Sequence, residues 1–185
     1  MFGWIILGVV VLAALYAVVL YNGLVKSRQM VEEGWSGIDV QLKRRTDLIP
    51  NLLETVKGYM GHERETLEAV TNARAAATSA AAGTPAQRAQ AEGQLSQALG
   101  RLIATAEAYP DLKASTNFLE FQAALQTIED EIQMARRYYN GAVRNLNVMV
   151  ESVPSNFIAG PFGFQKAEYF ELENPADRAV PSVKF

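Results

Sequence analysis

"FLEFQAALQTIEDEIQMARRYYNGAVRNLNVMVESV" (residues 118–153) carries the longest regular pattern in the chain. Phe118, Phe121, Leu125, Ile128, Ile132, Ala135, Tyr139, Ala142, Leu146, Met149 and Val153 recur at steps of three and four residues. Such spacing is one face of an α-helix. At the rise of a helix the stripe is roughly 54 Å long. A stripe of that length has to be covered by other helices.

The residues before it supply them. "AYPDLKASTN" (108–117) breaks the chain at Pro110, and Asn117 followed by Glu120 resembles a capping box opening the last helix. A third helix is predicted near residues 85–108, weakly apolar until Leu95, Leu99, Leu102 and Ala106. "SAAAGTPAQ" (79–87) sets Gly83 close to Pro85, a stop and a restart. A second helix is predicted over about 48–80, with Leu52, Val56, Tyr59, Leu67 and Val70 inward. It is expected to restart after Thr46, with Asp47 as cap and Pro50 in the first turn, where a missing N–H costs little. Leu24, Arg28, Val31, Trp35, Ile38 and Leu42 form a seam upstream of that restart. Short connections favour antiparallel neighbours, so the predicted fold is all-α: a four-helix-bundle-like antiparallel domain over residues 22–153.

Residues 2–21 contain no charge. A helix of that length spans roughly 30 Å, the thickness of a hydrocarbon core. Phe2 and Trp4 near one end, and Tyr16 and Tyr21 toward the other, suit the two headgroup belts. A cleavable signal peptide would want a basic n-region and a shorter apolar stretch; an amphipathic core helix would want a polar face. The expectation is a transmembrane helix, crossing the membrane once. Lys26 and Arg28 follow the span, so the positive-inside rule places the remainder in the cytoplasm, with the periplasmic side as the alternative and these two cations at the headgroups.

Pro154 ends the bundle. Residues 154–185 are too aromatic for a disordered tail and too rich in Pro and Gly for a long helix. The expectation is a non-helical aromatic strap, laid over its own bundle or onto a neighbouring subunit. With Trp35, its Phe157, Phe162, Phe164, Tyr169, Phe170 and Phe185 are the candidate interface residues. Trp35 and the pair Tyr138–Tyr139 read first as core, which is where aromatics at helical spacing usually sit, and otherwise as interface anchors.

With no cysteine, disulfides, thiolate metal sites and cysteine nucleophiles are excluded. A net charge of −3 with dispersed Lys and Arg gives no basis for nucleic-acid binding.

The chain resembles the LemA family of bacterial membrane proteins. The likeness runs through "YNGLV" (21–25), "EGWSGIDVQLKRRTDLIPNLLETVKGY" (33–59), "HE" (62–63), "AR" (73–74), "EAYPDL" (107–112), "RRYYN" (136–140), Asn147, "GFQKAEYFELE" (163–173) and "PSVKF" (181–185). It covers essentially the whole chain. It implies one N-terminal span and an antiparallel helical domain, and it implies no settled biochemical activity.

Catalytic groups are scarce. His62 is the one histidine, and Tyr59 stands where a carboxylate di-iron bundle needs glutamate. "HERE" (62–65) lacks the second histidine of a zinc helix, and no glycine-rich phosphate loop is present. Catalytic, cofactor and metal sites are therefore expected to be absent, with no small-molecule substrate identified. Charged residues at seam positions are expected to be ion pairs that fix helix register. The candidates are Arg44, Arg45, Arg74 and Arg137 (or Arg136) facing Asp39, Asp47, Glu63 or Glu107. Lys43 stands about 33 Å beyond Tyr21 on a straight helix, too far for lipid attraction to reach through salt.

The function expected from these features is that of a non-enzymatic scaffold, anchored in membrane lipid and self-associating into a homo-oligomer that organises or shapes the membrane. The alternative is an adaptor recruiting another membrane protein, such as a protease, sensor or remodelling factor.

Overall fold

The computed structural model describes residues 1–171. Among them there is no strand. The elements are α1 (Phe2–Lys57), α2 (Arg64–Ser79), a 3₁₀ turn (Ala80–Ala82), α3 (Pro85–Ala106), α4 (Pro110–Lys113), α5 (Thr116–Glu151) and α6 (Asn156–Ala159). The chain forms two compact units. One holds Met1–Gly37 and Ala135–Tyr169; the other holds Ile38–Met134 and the described residues from Phe170 onward.

The largest departure from the sequence reading lies at Pro50. No restart occurs after Thr46: α1 runs straight through the proline to Lys57. An interior proline costs about 3 kcal/mol or more, partly because it deprives the carbonyl four residues earlier of its amide donor. That carbonyl is Thr46's, and it accepts a hydrogen bond from Arg74 Nε at 2.9 Å instead. A side chain of α2 thus replaces the missing amide. The seam therefore continues as Ile38, Leu42, Arg45, Ile49, Leu52 and Val56, all buried, at unbroken steps of four and three. The helix ends instead at the turn from Gly58 to Glu63, where Met60 is buried and Tyr59, expected inside, is exposed. Replacing Arg74 by methionine is expected to cost about 1–3 kcal/mol by stranding that carbonyl. With Pro50→Ala present, the new amide should take the carbonyl and the same change should cost about 1 kcal/mol less. A urea-unfolding double-mutant cycle measures the difference.

Elsewhere local chemistry decides the boundaries. Thr84 caps α3 by accepting from the Gln87 amide at 3.3 Å, while the Gln87 side chain accepts from the Thr84 amide at 3.0 Å. Pro85 follows at the first helical position. α5 opens at Thr116, so Asn117 lies inside its first turn instead of capping it. Its predicted stripe is buried at Phe118, Leu125, Ile128, Ile132, Tyr139, Ala142 and Leu146, and leaves the interior by Val153. The segment after Pro154, expected to be non-helical, contains the short helix α6.

In the second unit α2 packs on α3, over a core that includes Ile49, Leu52, Val56, Leu95, Leu99, Leu102, Phe118 and Leu125. In the first unit Leu24, Leu146, Ala159 and Phe164 form a smaller core. In the same unit Gly34 is buried, and a Cβ there would lie 3.0 Å from Tyr139 Cα and 3.1 Å from the Tyr138 ring. The absent side chain lets α1 and α5 approach closely. Gly34→Val is expected to push them apart and cost about 1–3 kcal/mol, despite valine's better helix propensity; thermal unfolding of the purified protein reads it.

Candidate functional site

Three features of the described residues stand out as functional surfaces or centres. The first is the N-terminal part of α1. Its most apolar 18 residues have a mean hydropathy of 2.6, and none of that window is buried within the protein. A soluble-core helix would bury such a face. Trp4 and Tyr16 are exposed, as are Lys26 and Arg28. Arg28 lies 4.0 Å from Glu32, one turn along α1.

The second is a belt of charge inside the second unit. Arg45, fully buried, donates to the carboxylates of Glu92 on α3 and Glu129 on α5. It also donates to Ser96 Oγ at 2.8 Å and to the Glu92 carbonyl at 3.3 Å. Glu92 is buried, whereas the Glu129 side chain keeps 34% of its surface in solvent. One turn along α3 from Glu92, buried Arg88 reaches Asp39 of α1 at 2.6 Å and the Ala81 carbonyl at 3.3 Å. Arg44 of α1 pairs with Glu131 of α5. Three helices are therefore cross-linked by charge where apolar packing would otherwise leave their register free.

The sequence reading missed Arg88, Glu92 and Glu129. A signal for two of them was available: Arg88 and Glu92 extend the ladder Leu95, Leu99, Leu102, Ala106 backward at the same three- and four-residue steps. The other candidate pairs fall differently. Glu63 accepts from the Tyr109 hydroxyl at 2.9 Å, and that bond raises the tyrosine's pKa. Asp47 pairs with Lys43, one turn along α1. Glu107 pairs with Lys113 at the surface, where such contacts are worth little. Arg74 serves the Thr46 carbonyl and, with Arg136 and Arg137, makes no ion pair among the described residues.

The third feature is an aromatic clasp in the first unit. Trp35 and Tyr139 meet at a tilt with ring centroids 5.4 Å apart, both away from full exposure. The Tyr139 hydroxyl donates to the Glu168 carbonyl at 2.8 Å. Asn147 closes a two-way bond with Ala167, donating to its carbonyl at 3.0 Å and accepting from its amide at 2.8 Å. The Tyr138 hydroxyl donates to Glu33 at 3.1 Å, which raises its pKa. Tyr21, at the end of the apolar run, meets Phe162 and Phe164 edge-on at 5.1 and 5.7 Å. Arg28 lies over the Phe164 ring at 5.2 Å. Of the expected interface residues, Phe164 and Phe170 are buried, while Phe157, Phe162 and Tyr169 are exposed. Phe185 lies outside the described residues.

Residues 34–185 match the LemA family. The chain belongs to the LemA family. Curated relatives include magnetosome proteins MamQ 2 and MamQ 1 of Paramagnetospirillum magneticum, each 27% identical over 84% of this chain and 66% of the relative. Protein LemA of Metamycoplasma hominis is 26% identical over 81% of this chain and 68% of that protein. The chain spans just under two thirds of the length of the MamQ relatives. The LemA-family match begins at Gly34, beside the close approach of α1 and α5, and takes in every residue of the charge belt. Family membership and the uncovered apolar helix agree on a membrane-associated protein.

Proposed function

We propose that this protein is a non-enzymatic membrane scaffold whose copies associate laterally through their helical domains. The observation that carries the reading is the N-terminal part of α1, whose most apolar 18 residues include none that is buried. Such a helix confines every copy to one plane, and confinement raises effective concentration enough for modest contacts to give oligomers. The charge belt supports the reading from the other side. Arg45, Glu92 and Glu129 are engaged with one another across three helices of the second unit, an arrangement that fixes the register of those helices and leaves no group of the belt poised for acid–base work.

A lateral contact also has a surface to use. Ala69, Ala73, Ala76 and Ala98 line an open groove of about 390 Å³ between α2 and α3, bordered by Asn72, Gln94, Gln97 and Arg101. Small side chains permit a close approach there. On this reading the long helices run antiparallel, the segment fastened by Tyr139 and Asn147 is a strap within its own subunit, and Lys26 and Arg28 set the domain on the cytoplasmic side.

Native mass measurement after gentle extraction tests the proposal. Discrete oligomers that weaken when Ala73 and Ala76 are replaced by glutamate support it. A strictly monomeric particle at high concentration overturns it. Crosslinks in cells to a different membrane protein, with none between copies, would replace the scaffold by the adaptor.

A further inference from the structure

The turn around α6 is uncharged from Ser152 to Gln165. At its base Lys166 Nζ meets Glu151 at 2.7 Å, closing the two ends of the excursion with an ion pair. Between those ends three large apolar side chains are uncovered: Val153, Phe157 and Phe162 are 71%, 69% and 61% exposed. Large apolar side chains in such a group need an occupant.

Position identifies the occupant. Ser27 Oγ lies 3.2 Å from the Met149 sulfur, and a Cβ on Gly23 would lie 3.0 Å from Met149 Cε. The last turn of α5 is therefore level with residues 23–27 of α1, within two turns of the apolar run that ends at Tyr21. Past it the chain continues toward that run. Phe162 comes to rest edge-on against Tyr21, the last residue of the run. Gly163, at φ +72°, takes the left-handed turn that other residues resist and sends Phe164 inward under Tyr21. Ala159 and Ile158 pack into the core around Leu24, so the tip is held from beneath.

We propose that this turn is a second membrane contact, with Phe157, Phe162 and Val153 seated among the lipid headgroups beside the end of the spanning helix. Aromatic rings favour that depth, and Lys26 and Arg28 stand one to two turns farther out, at the level of the phosphates. A domain touching the bilayer at two points cannot swing freely about its anchor. The sequence alone offers Phe157 and Phe162 to the bundle or to a neighbouring subunit; the inference assigns them to lipid. It rests on residues 2–21 being the span.

The absence of cysteine from the chain makes the test direct. Gly160→Cys places one thiol at the tip without touching the rings; its Cβ would meet only the Asn156 carbonyl, at 3.8 Å. Gln90→Cys, exposed on α3, is the aqueous reference, and Val11→Cys lies within the span. Each full-length variant is placed at one copy per phosphatidylcholine nanodisc and treated with a membrane-impermeant maleimide. The tip thiol is expected to react about tenfold more slowly than the reference, the order expected from withdrawing about one phenylalanine side chain from water. Phe157→Ser with Phe162→Ser should restore the rate, and both rings are exposed, so the fold survives the change. Equal rates at Gly160→Cys and Gln90→Cys overturn the proposal. So does protection that survives the two serines, or protection seen only with several copies per disc, which assigns the tip to a protein contact. A reactive thiol in Val11→Cys removes the span itself and the proposal with it.

Discussion

Alanine at Arg45 is expected to destabilise the protein by about 3–5 kcal/mol, the cost of breaking a buried ion pair from one side. The size follows from what stays behind. Glu129 is a third exposed and can turn to water, but Glu92 is buried on α3 and loses the cation that neutralised it. Ser96 Oγ and the Glu92 carbonyl lose a donor in the same step. Removing both charges is a different matter. Arg45→Met with Glu92→Met keeps the volume and leaves neither buried member of that pair without its counter-charge, so most of the loss should be recovered. Urea unfolding of the full-length protein in mild detergent, followed by its helical circular dichroism, separates the two variants. A loss below about 1 kcal/mol for Arg45→Ala would mean the belt behaves like exposed ion pairs and sets nothing.

The second large effect concerns the anchor. Val9 and Leu12 lie near the middle of the apolar run, and both are exposed. An arginine at the centre of a spanning helix costs about 2.5–3.5 kcal/mol, so the pair of substitutions together removes about 5–7 kcal/mol of insertion energy. Val9→Arg with Leu12→Arg is expected to shift the protein out of the alkaline-washed membrane fraction. Val40→Arg, equally exposed but on the helical domain, should leave the distribution unchanged. Retention of the double-arginine protein in the washed membranes would defeat the reading of α1 as a span.

Both predictions bear on one physical point. Membrane confinement is a property of a local run of side chains, whereas the rigidity of the domain depends on charges that meet only after folding. Lateral association as proposed needs the two together: a floppy domain on a firm anchor would present no fixed surface to a neighbour, and a well-ordered domain without an anchor would find few neighbours.

Much of the architecture was legible in the residues themselves because its causes are local. Twenty uncharged residues read as a span, and the span's surface is uncovered in the structure. Gly83 and Pro85 read as a helix stop and restart, and a capping box of Thr84 and Gln87 opens α3 there. The 3,4 ladder of α5 named seven of the side chains that are buried from Phe118 to Leu146, though not Val143, and its Phe121 and Ala135 are half-buried. In each case the interacting groups are a few residues apart, so spacing alone carries the information.

Pro50 and Arg45 show where that information ends. Proline read locally breaks a helix, yet α1 continues because Arg74, 28 residues from Thr46, donates to the carbonyl that the proline strands. Arg45 read locally is one basic residue of three in a row; its partners lie 47 and 84 residues along, on α3 and α5. The residues alone determined that the chain is helical, where its apolar faces lie and that its first twenty side chains suit lipid. Only the tertiary structure decided which charges are buried together, that α1 survives its proline and that the turn at α6 comes to rest against Tyr21. The reason is that a hydrogen bond or ion pair between distant residues can offset a local penalty of similar size, and nothing in the spacing of nearby residues records that distant partner.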